Sequence, residues 1–400
     1  MQRWMLVAAG LVLGACKAGK PSAPAPALQQ AAETRAATEV HPTSTAPKVE
    51  PLPVCKGGGL DPLSAARKYY DASRHQEALS CAAEACAVYP DNPLAHSEKG
   101  AALAALGKLE DAQVAYARAL ALDPDNLDAL LGAAHLYGVR LPSTRDHDEL
   151  ASVYAEHGLA LAEEQQDKHL TFEFALLSAM AFNDLGSPKD ALERADRALL
   201  MKQGDKEASY ERAIALFELC RFAEAKPLFV AMLNDKERAA HAHHHLGLIL
   251  EREGKWKEAE QHLQTAVRLD PEEFPPPQLL SEKDFKAEVE RAVAALPADM
   301  SKDLEGVPVT AEEIPKDDDL LSGDPPLSPA ILGLFRGPPI GERCEAGEDP
   351  CRSVALYRRN LARAVKTKDE LIEQIRVTLW HEVGHLRGED DYELAARGLE

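Results

Sequence analysis

Three features of the sequence predict a mainly α protein, a solenoid of paired helices followed by a small α+β domain. Alanine is abundant while aromatic residues make up only 5%, a composition that suits close-packed helices better than β-sandwiches. Small residues recur every 34 positions through the middle of the chain: Ala78 and Ala112, Ala85 and Ala119, then Ala191, Ala225 and Ala259. After Pro275-Pro276-Pro277 the repeat stops, and short strand candidates appear beside capped helices. Four hundred residues at 45% apolar content suffice for two or three domains. A net charge of −21 argues against nucleic-acid binding and against a basic membrane-surface patch.

The N-terminus reads as an address. Met1-Gln2-Arg3 is a positive start, Trp4 to Ala15 is an apolar run too short to span a bilayer, and Leu13-Gly14-Ala15-Cys16 fits a lipoprotein cleavage box. The segment resembles bacterial lipoprotein signal peptides. That resemblance implies removal of residues 1–15 and acylation of Cys16, hence anchoring to a membrane of the cell envelope. Lys17 is no acidic retention signal, which favours the outer membrane. Residues 16–58, rich in Ala, Pro, Ser and Thr, bury too little apolar surface to fold and are expected to form a tether.

Six cysteines remain beyond Cys16. Cys344 and Cys351 flank a short turn-forming stretch and are candidates for a local disulfide. Cys81 and Cys86 diverge around one helix, so they are not expected to bond each other, and small buried core residues is the preferred reading of both.

The repeat array is expected over 59–273 as about six units. Ala112 and Ala191 are separated by two periods and eleven further residues. The loop Gly138–Asp148 and the neighbourhood of Gln165–His169 are the expected places for that surplus. Residues 93–126 (Gly100, Gly107, Ala112, Tyr116, Ala119, Pro124) and 240–273 (Gly247, Gly254, Ala259, Ala266, Pro271) carry the pattern best and resemble the tetratricopeptide repeat. The resemblance implies a groove that binds a protein or peptide partner, with no catalysis of its own. His241, His243, His244 and His245 crowd the first helix of the last unit. A second metal site is one reading; ordinary helix positions near an interface is the preferred one.

Residues 274–280 form a proline-rich linker, and 281–400 the terminal domain. Within that domain the sequence predicts a helix over 285–296, strands at 307–310 and 353–358, and an acidic loop over 312–319. Residues 331–341 mix apolar and turn residues. A helix starts at the capping box Thr367-Lys-Asp-Glu370 and buries Leu371, Ile372, Ile375, Leu379 and Val383. That helix carries His381-Glu382-Val383-Gly384-His385, followed by Gly388 and Asp391. Residues four apart share a helix face, so both imidazoles can reach one ion beside the Glu382 carboxylate. With 14 His in the chain, the pentad alone would arise by chance in roughly one such chain in 25.

Residues 285–394 resemble the minimal zincin-like metallopeptidase family. The resemblance rests on Leu332-Gly-Leu-Phe335, Ala355-Leu-Tyr-Arg358, Thr378-Leu-Trp-His-Glu-Val-Gly-His385 and Gly388-Glu-Asp-Asp-Tyr-Glu-Leu394. It implies a small α+β zincin-like fold, Zn²⁺ as cofactor, His381, His385 and Asp391 as its ligands, and Glu382 as general base. By position alone, Glu389, Asp390 and Glu393 compete with Asp391 as third ligand. Leu386-Arg387 stands where the family usually has His-Phe, and no methionine follows Met300 to floor the site. The expected activity is peptide-bond hydrolysis by an envelope-anchored zinc peptidase whose repeats recruit the substrate or partner. The alternative is a non-catalytic lipoprotein scaffold whose terminal domain only binds metal. Metal binding does not require Glu382, so its presence favours the enzyme.

Overall fold

The computed structural model describes residues 54–344 and 350–399. Cys16, the expected signal peptide and most of the expected tether lie outside the described residues. No helix among the described residues is long and apolar enough to cross a membrane.

Twelve helices stack as six antiparallel pairs: α1 (Pro62–Asp71) with α2 (His75–Val88), α3 (Pro93–Ala105) with α4 (Leu109–Leu122), and α5 (Leu127–His135) with α6 (Arg145–Glu164). The array continues with α7 (Lys168–Asp184) and α8 (Pro188–Met201), α9 (Lys206–Glu218) and α10 (Phe222–Met232), then α11 (Ala239–Arg252) and α12 (Trp256–Leu269). The 34-residue alanines are the contact points: Ala78, Ala85, Ala112, Ala119, Ala191, Ala225 and Ala259 are all fully or almost fully buried. A methyl group there lets neighbouring helices approach closely. Glycine is used where an aromatic ring needs more room. A Cβ at Gly132 would stand 2.3 Å from the Tyr116 ring. Asp61, Asn92, Asn126, Asp167 and Asp205 cap the first helix of five units through their side chains.

Two expectations change. The surplus residues do not make a long loop: α6 runs for 20 residues and α7 for 17, and Leu136–Arg140 adds a π-type turn. Apolar residues at helical spacing extend the helices, because each further turn buries Leu159, Ala162, Phe172 and Phe174. Cys81 is buried but is not a free thiol, being bonded to Cys55. Residues 54–58, assigned to the tether, fold back beside α1, where the Tyr69 hydroxyl donates to the Lys56 carbonyl at 2.6 Å. Cys86 is free, and Cys344 is bonded to Cys351.

After the prolines come α13 (Glu282–Ala294), α14 (Ala298–Asp303), β1 (Val309–Glu312), α15 (Asp317–Leu320), β2 (Gly333–Arg336), β3 (Ser353–Tyr357), α16 (Arg358–Arg363), α17 (Lys368–Arg387) and α18 (Asp391–Ala395). The sheet order is β1-β3-β2, with β1 parallel and β2 antiparallel to β3. Strand β3 is central and wholly buried, so it reads as a continuous apolar run. Helix α17 packs over the sheet and α13 through Leu371, Ile375, Leu379 and Val383. Ile372, expected inside, is 38% exposed at the edge of that stripe.

The two parts interlock. Glu251 of α11, only 2% exposed, accepts from Arg359 at 3.0 Å and from Arg363 at 2.5 and 2.6 Å. Arg252 donates to the Pro315 and Pro329 carbonyls, and the Gln278 N–H donates to Ala362.

Candidate metal centre

Helix α17 opens on the capping box the sequence predicts. Thr367 Oγ1 accepts from the Glu370 N–H at 3.2 Å, and Glu370 returns a bond to the Thr367 N–H at 3.0 Å. It closes at Gly388, whose φ of 86° is the left-handed conformation that glycine takes without steric cost. The chain then turns back on its own helix. Asp390 caps α18, accepting from the Glu393 N–H at 2.9 Å while Glu393 accepts from the Asp390 N–H. Glu389 pairs with Arg397. Three of the four acidic candidates are thereby engaged elsewhere. Asp391 is left facing the imidazoles, its Oδ1 lying 3.4 Å from His381 Nε2 and 3.3 Å from His385 Nε2.

The rings are held from behind. His381 Nδ1 lies 2.6 Å from the Leu399 carbonyl and His385 Nδ1 lies 3.0 Å from the Glu389 carbonyl. A carbonyl only accepts, so in the neutral ring each Nδ1 must carry the proton and each Nε2 presents a lone pair. Those two Nε2 atoms are 2.9 Å apart. Two lone pairs and a carboxylate oxygen therefore converge with no donor among them, an arrangement that a cation relieves. In tetrahedral zinc sites donor atoms stand about 3.3 Å from one another. The Asp391 separations match this, and the imidazoles stand slightly closer. Among the described residues, His381, His385 and Asp391 form a group whose ligand atoms all lie within 4.8 Å.

The electrostatics agree. Burial alone would raise the Asp391 carboxyl, but the two imidazoles that face it, which donate to it when they take up a second proton, outweigh this and hold it well below the usual carboxylate range. Burial would lower both histidines, yet the bond to Asp391 and the nearby Glu382 charge raise them. Burial pushes Glu382 up, against the pull of both imidazoles and a backbone donor. Glu382 is 7% exposed, and its Oε2 accepts from the Phe335 N–H of β2 at 2.6 Å. Gly333 makes room for it: a Cβ there would come within 3.0 Å of the Glu382 side chain.

The floor of the site is Leu394, which is completely buried. A Cβ at Gly384 would stand 2.2 Å from its Cδ2, so the glycine inside the pentad is what lets α18 close under the imidazoles. Sequence reading missed the Leu399 and Glu389 carbonyls and the Phe335 N–H, since backbone groups leave no mark in a sequence. Gly384 was the one available signal. The four clustered histidines of α11 do not join a metal group. His243 pairs with His262 at 2.9 Å, and His244 and His245 stack on Phe274 and Phe229.

Comparison with known proteins accords with this geometry. The zincin-like metallopeptidase family matches residues 304–399, and tetratricopeptide-repeat families match 93–126, 240–273 and 176–229. The chain carries tetratricopeptide repeats followed by a zincin-like metallopeptidase domain. Solved structures similar to the repeats include YrrB, a tetratricopeptide-repeat protein with an unusual peptide-binding site (22% identity, 48% of this chain and 93% of that one, TM-score 0.39). They also include Pseudomonas aeruginosa pilF (15%, 57% and 96%, 0.41) and PilW, a type IV pilus biogenesis factor (17%, 56% and 96%, 0.42). No curated protein matches the chain. The zincin-like domain thus supplies the metal-type donor set, and the repeats supply a fold associated with protein–protein interaction.

Proposed function

We propose that the protein is a zinc-dependent peptidase of the bacterial cell envelope, held to the membrane, with the outer membrane favoured, by a lipid on Cys16. Its repeat array recruits the protein that the zincin-like domain cleaves. The observation that carries this reading is the convergence of His381 Nε2, His385 Nε2 and Asp391 Oδ1 beside a buried Glu382. Those three side chains would hold the ion. Zinc, when bound, supplies a Lewis acid that polarises a carbonyl and brings the pKa of a water to about 7.

The chain's own residues do the rest. The Leu399 and Glu389 carbonyls keep both imidazoles in the Nδ1–H form, so that Nε2 remains a ligand. Glu382 is the proton carrier: burial raises its affinity for a proton, which suits a group that takes one from water and returns it to a leaving amine. Leu394 and the buried face of α17 keep solvent from the back of the site.

One observation favours a second reading, a metal-binding adaptor without catalysis. One oxygen of the Glu382 carboxylate is already engaged by the Phe335 N–H, which ties the group to β2 and leaves only the other oxygen to take a proton. Zinc content and hydrolysis of dye-labelled casein and a fluorogenic peptide library, compared between the parent chain and Glu382→Gln, separate the two. The peptidase predicts one zinc per chain in both proteins, with cleavage lost by at least about a hundredfold in the variant. Full zinc in both with cleavage by neither establishes the adaptor.

A further inference from the structure

A cavity of about 480 Å³ lies between the last repeat and the zincin-like domain, a volume within the range of small-molecule sites. Rings from the repeat side, Phe217, Phe274, His241, His244 and His245, form one wall, and Ala330, Leu332 and Ala364 of the terminal domain line the other. The charged groups on its surface are matched except for Glu260, which is exposed to solvent. Glu251 is held by Arg359 and Arg363, and Arg252 by Asp317 and two carbonyls. Burial pushes the carboxyls of Glu218 and Glu273 up, toward their neutral form. A charged guest would therefore lose its hydration and find no free counter-ion in the enclosed part of the cavity.

His244 is different from its neighbours. His245 Nδ1 bonds to the His241 carbonyl at 2.9 Å, whereas the His244 ring makes no hydrogen bond among the described residues. It stacks on Phe274 with centroids 4.6 Å apart, it is half-buried, and it borders the cavity. An imidazole on the cavity wall whose nitrogens make no hydrogen bond to the protein is free to bond a guest that carries a donor or acceptor.

We propose that this cavity binds an uncharged, largely aromatic group bearing one hydrogen-bonding function, which lies between the Phe217 and Phe274 wall and the terminal domain and bonds to His244. The group belongs either to a free small molecule or to an aromatic side chain of a chain held by the repeats. The proposal does not depend on zinc or on peptidase activity.

The test uses the full chain and N-phenyl-1-naphthylamine, an uncharged aromatic amine whose emission rises in apolar surroundings. Saturable binding of one dye per chain is expected. Ala364→Trp and His244→Trp, which fill the cavity from opposite walls, should each weaken it at least tenfold with unchanged circular dichroism. His244→Leu keeps the apolar bulk and should weaken it about three- to tenfold, the value of one hydrogen bond. Displacement by indole but not by the blocked peptide acetyl-Gly-Gly-Trp-Gly-Gly-amide assigns a free small molecule, and displacement by both assigns a side chain. Absence of saturation, equal binding by the folded variants, or displacement by neither competitor overturns the proposal.

Discussion

The repeat array and the zincin-like domain solve opposite problems with the same helical material. In the array, the same few alanines recur from unit to unit and glycine–aromatic contacts such as Gly132 against Tyr116 occur in several, so information about the fold is spread over 200 residues. In the terminal domain, one glycine–leucine contact, Gly384 against Leu394, occurs once and sits directly beneath the imidazoles. The comparison teaches that equal packing can carry unequal consequence. A clash in the array costs stability alone, and the same clash in α17 moves a donor set.

The sharpest way to break the contrast is to cut the link between the two parts. Glu251→Ala leaves Arg363 largely buried without its carboxylate, while Arg359 keeps only Glu313, and is expected to cost about 3–5 kcal/mol. Denaturant unfolding should then separate into two transitions. A single transition with an unchanged midpoint would mean that the salt-bridged junction does not couple the two regions.

Matched glycine substitutions come next. Gly132→Ala and Gly384→Ala should each destabilise by about 1–3 kcal/mol, because a Cβ would stand 2.3 Å from Tyr116 in one and 2.2 Å from Leu394 in the other. Only Gly384→Ala should also weaken zinc binding, by about 10- to 100-fold, the usual effect of disturbing what supports a ligand. Equal zinc affinity in the two variants, measured by chelator competition, would remove the claim that Leu394 floors the site.

The gentlest probe is acid. Burial pulls His241 and His245 down to about 4 from an ordinary 6.5. Between those values the unfolded chain takes up protons that the folded chain refuses, so stability present above pH 6.5 falls as the pH drops toward 4. The slope is about 1.4 kcal/mol per pH unit for each ring. His245→Phe should flatten that slope by one ring's share; an identical pH profile for the variant would show that the histidine wall is not held neutral.

What could be read from the sequence differs between the regions for the same reason. Periodicity revealed six helix pairs, because every unit repeats its signal. It located the surplus near residues 138–148 and 165–169 but not its form, since a loop and an extra turn of α6 or α7 add the same length. In the terminal domain, the i, i+4 spacing put His381 and His385 on one face, and the Thr367 box gave the start of their helix. The choice of Asp391 over Glu389, Asp390 and Glu393 was not readable from spacing. It depends on which carboxylates α18 needs for its own cap and which one Arg397 takes. Cys55 meeting Cys81 escaped notice because it requires a fold-back fixed by a tyrosine–carbonyl bond rather than by any local pattern. Strand β2 was equally obscure: four residues among prolines and glycines are recognisable only once β3 lies beside them.

The most direct test of the account is zinc K-edge absorption on the full chain, set beside His385→Ala. One zinc per chain with a first shell of two imidazole nitrogens and carboxylate or water oxygens, lost in the variant while the repeat helicity persists, is the result this structure predicts. A chain that retains no stoichiometric zinc, or one whose zinc shell is unchanged by His385→Ala, would contradict it.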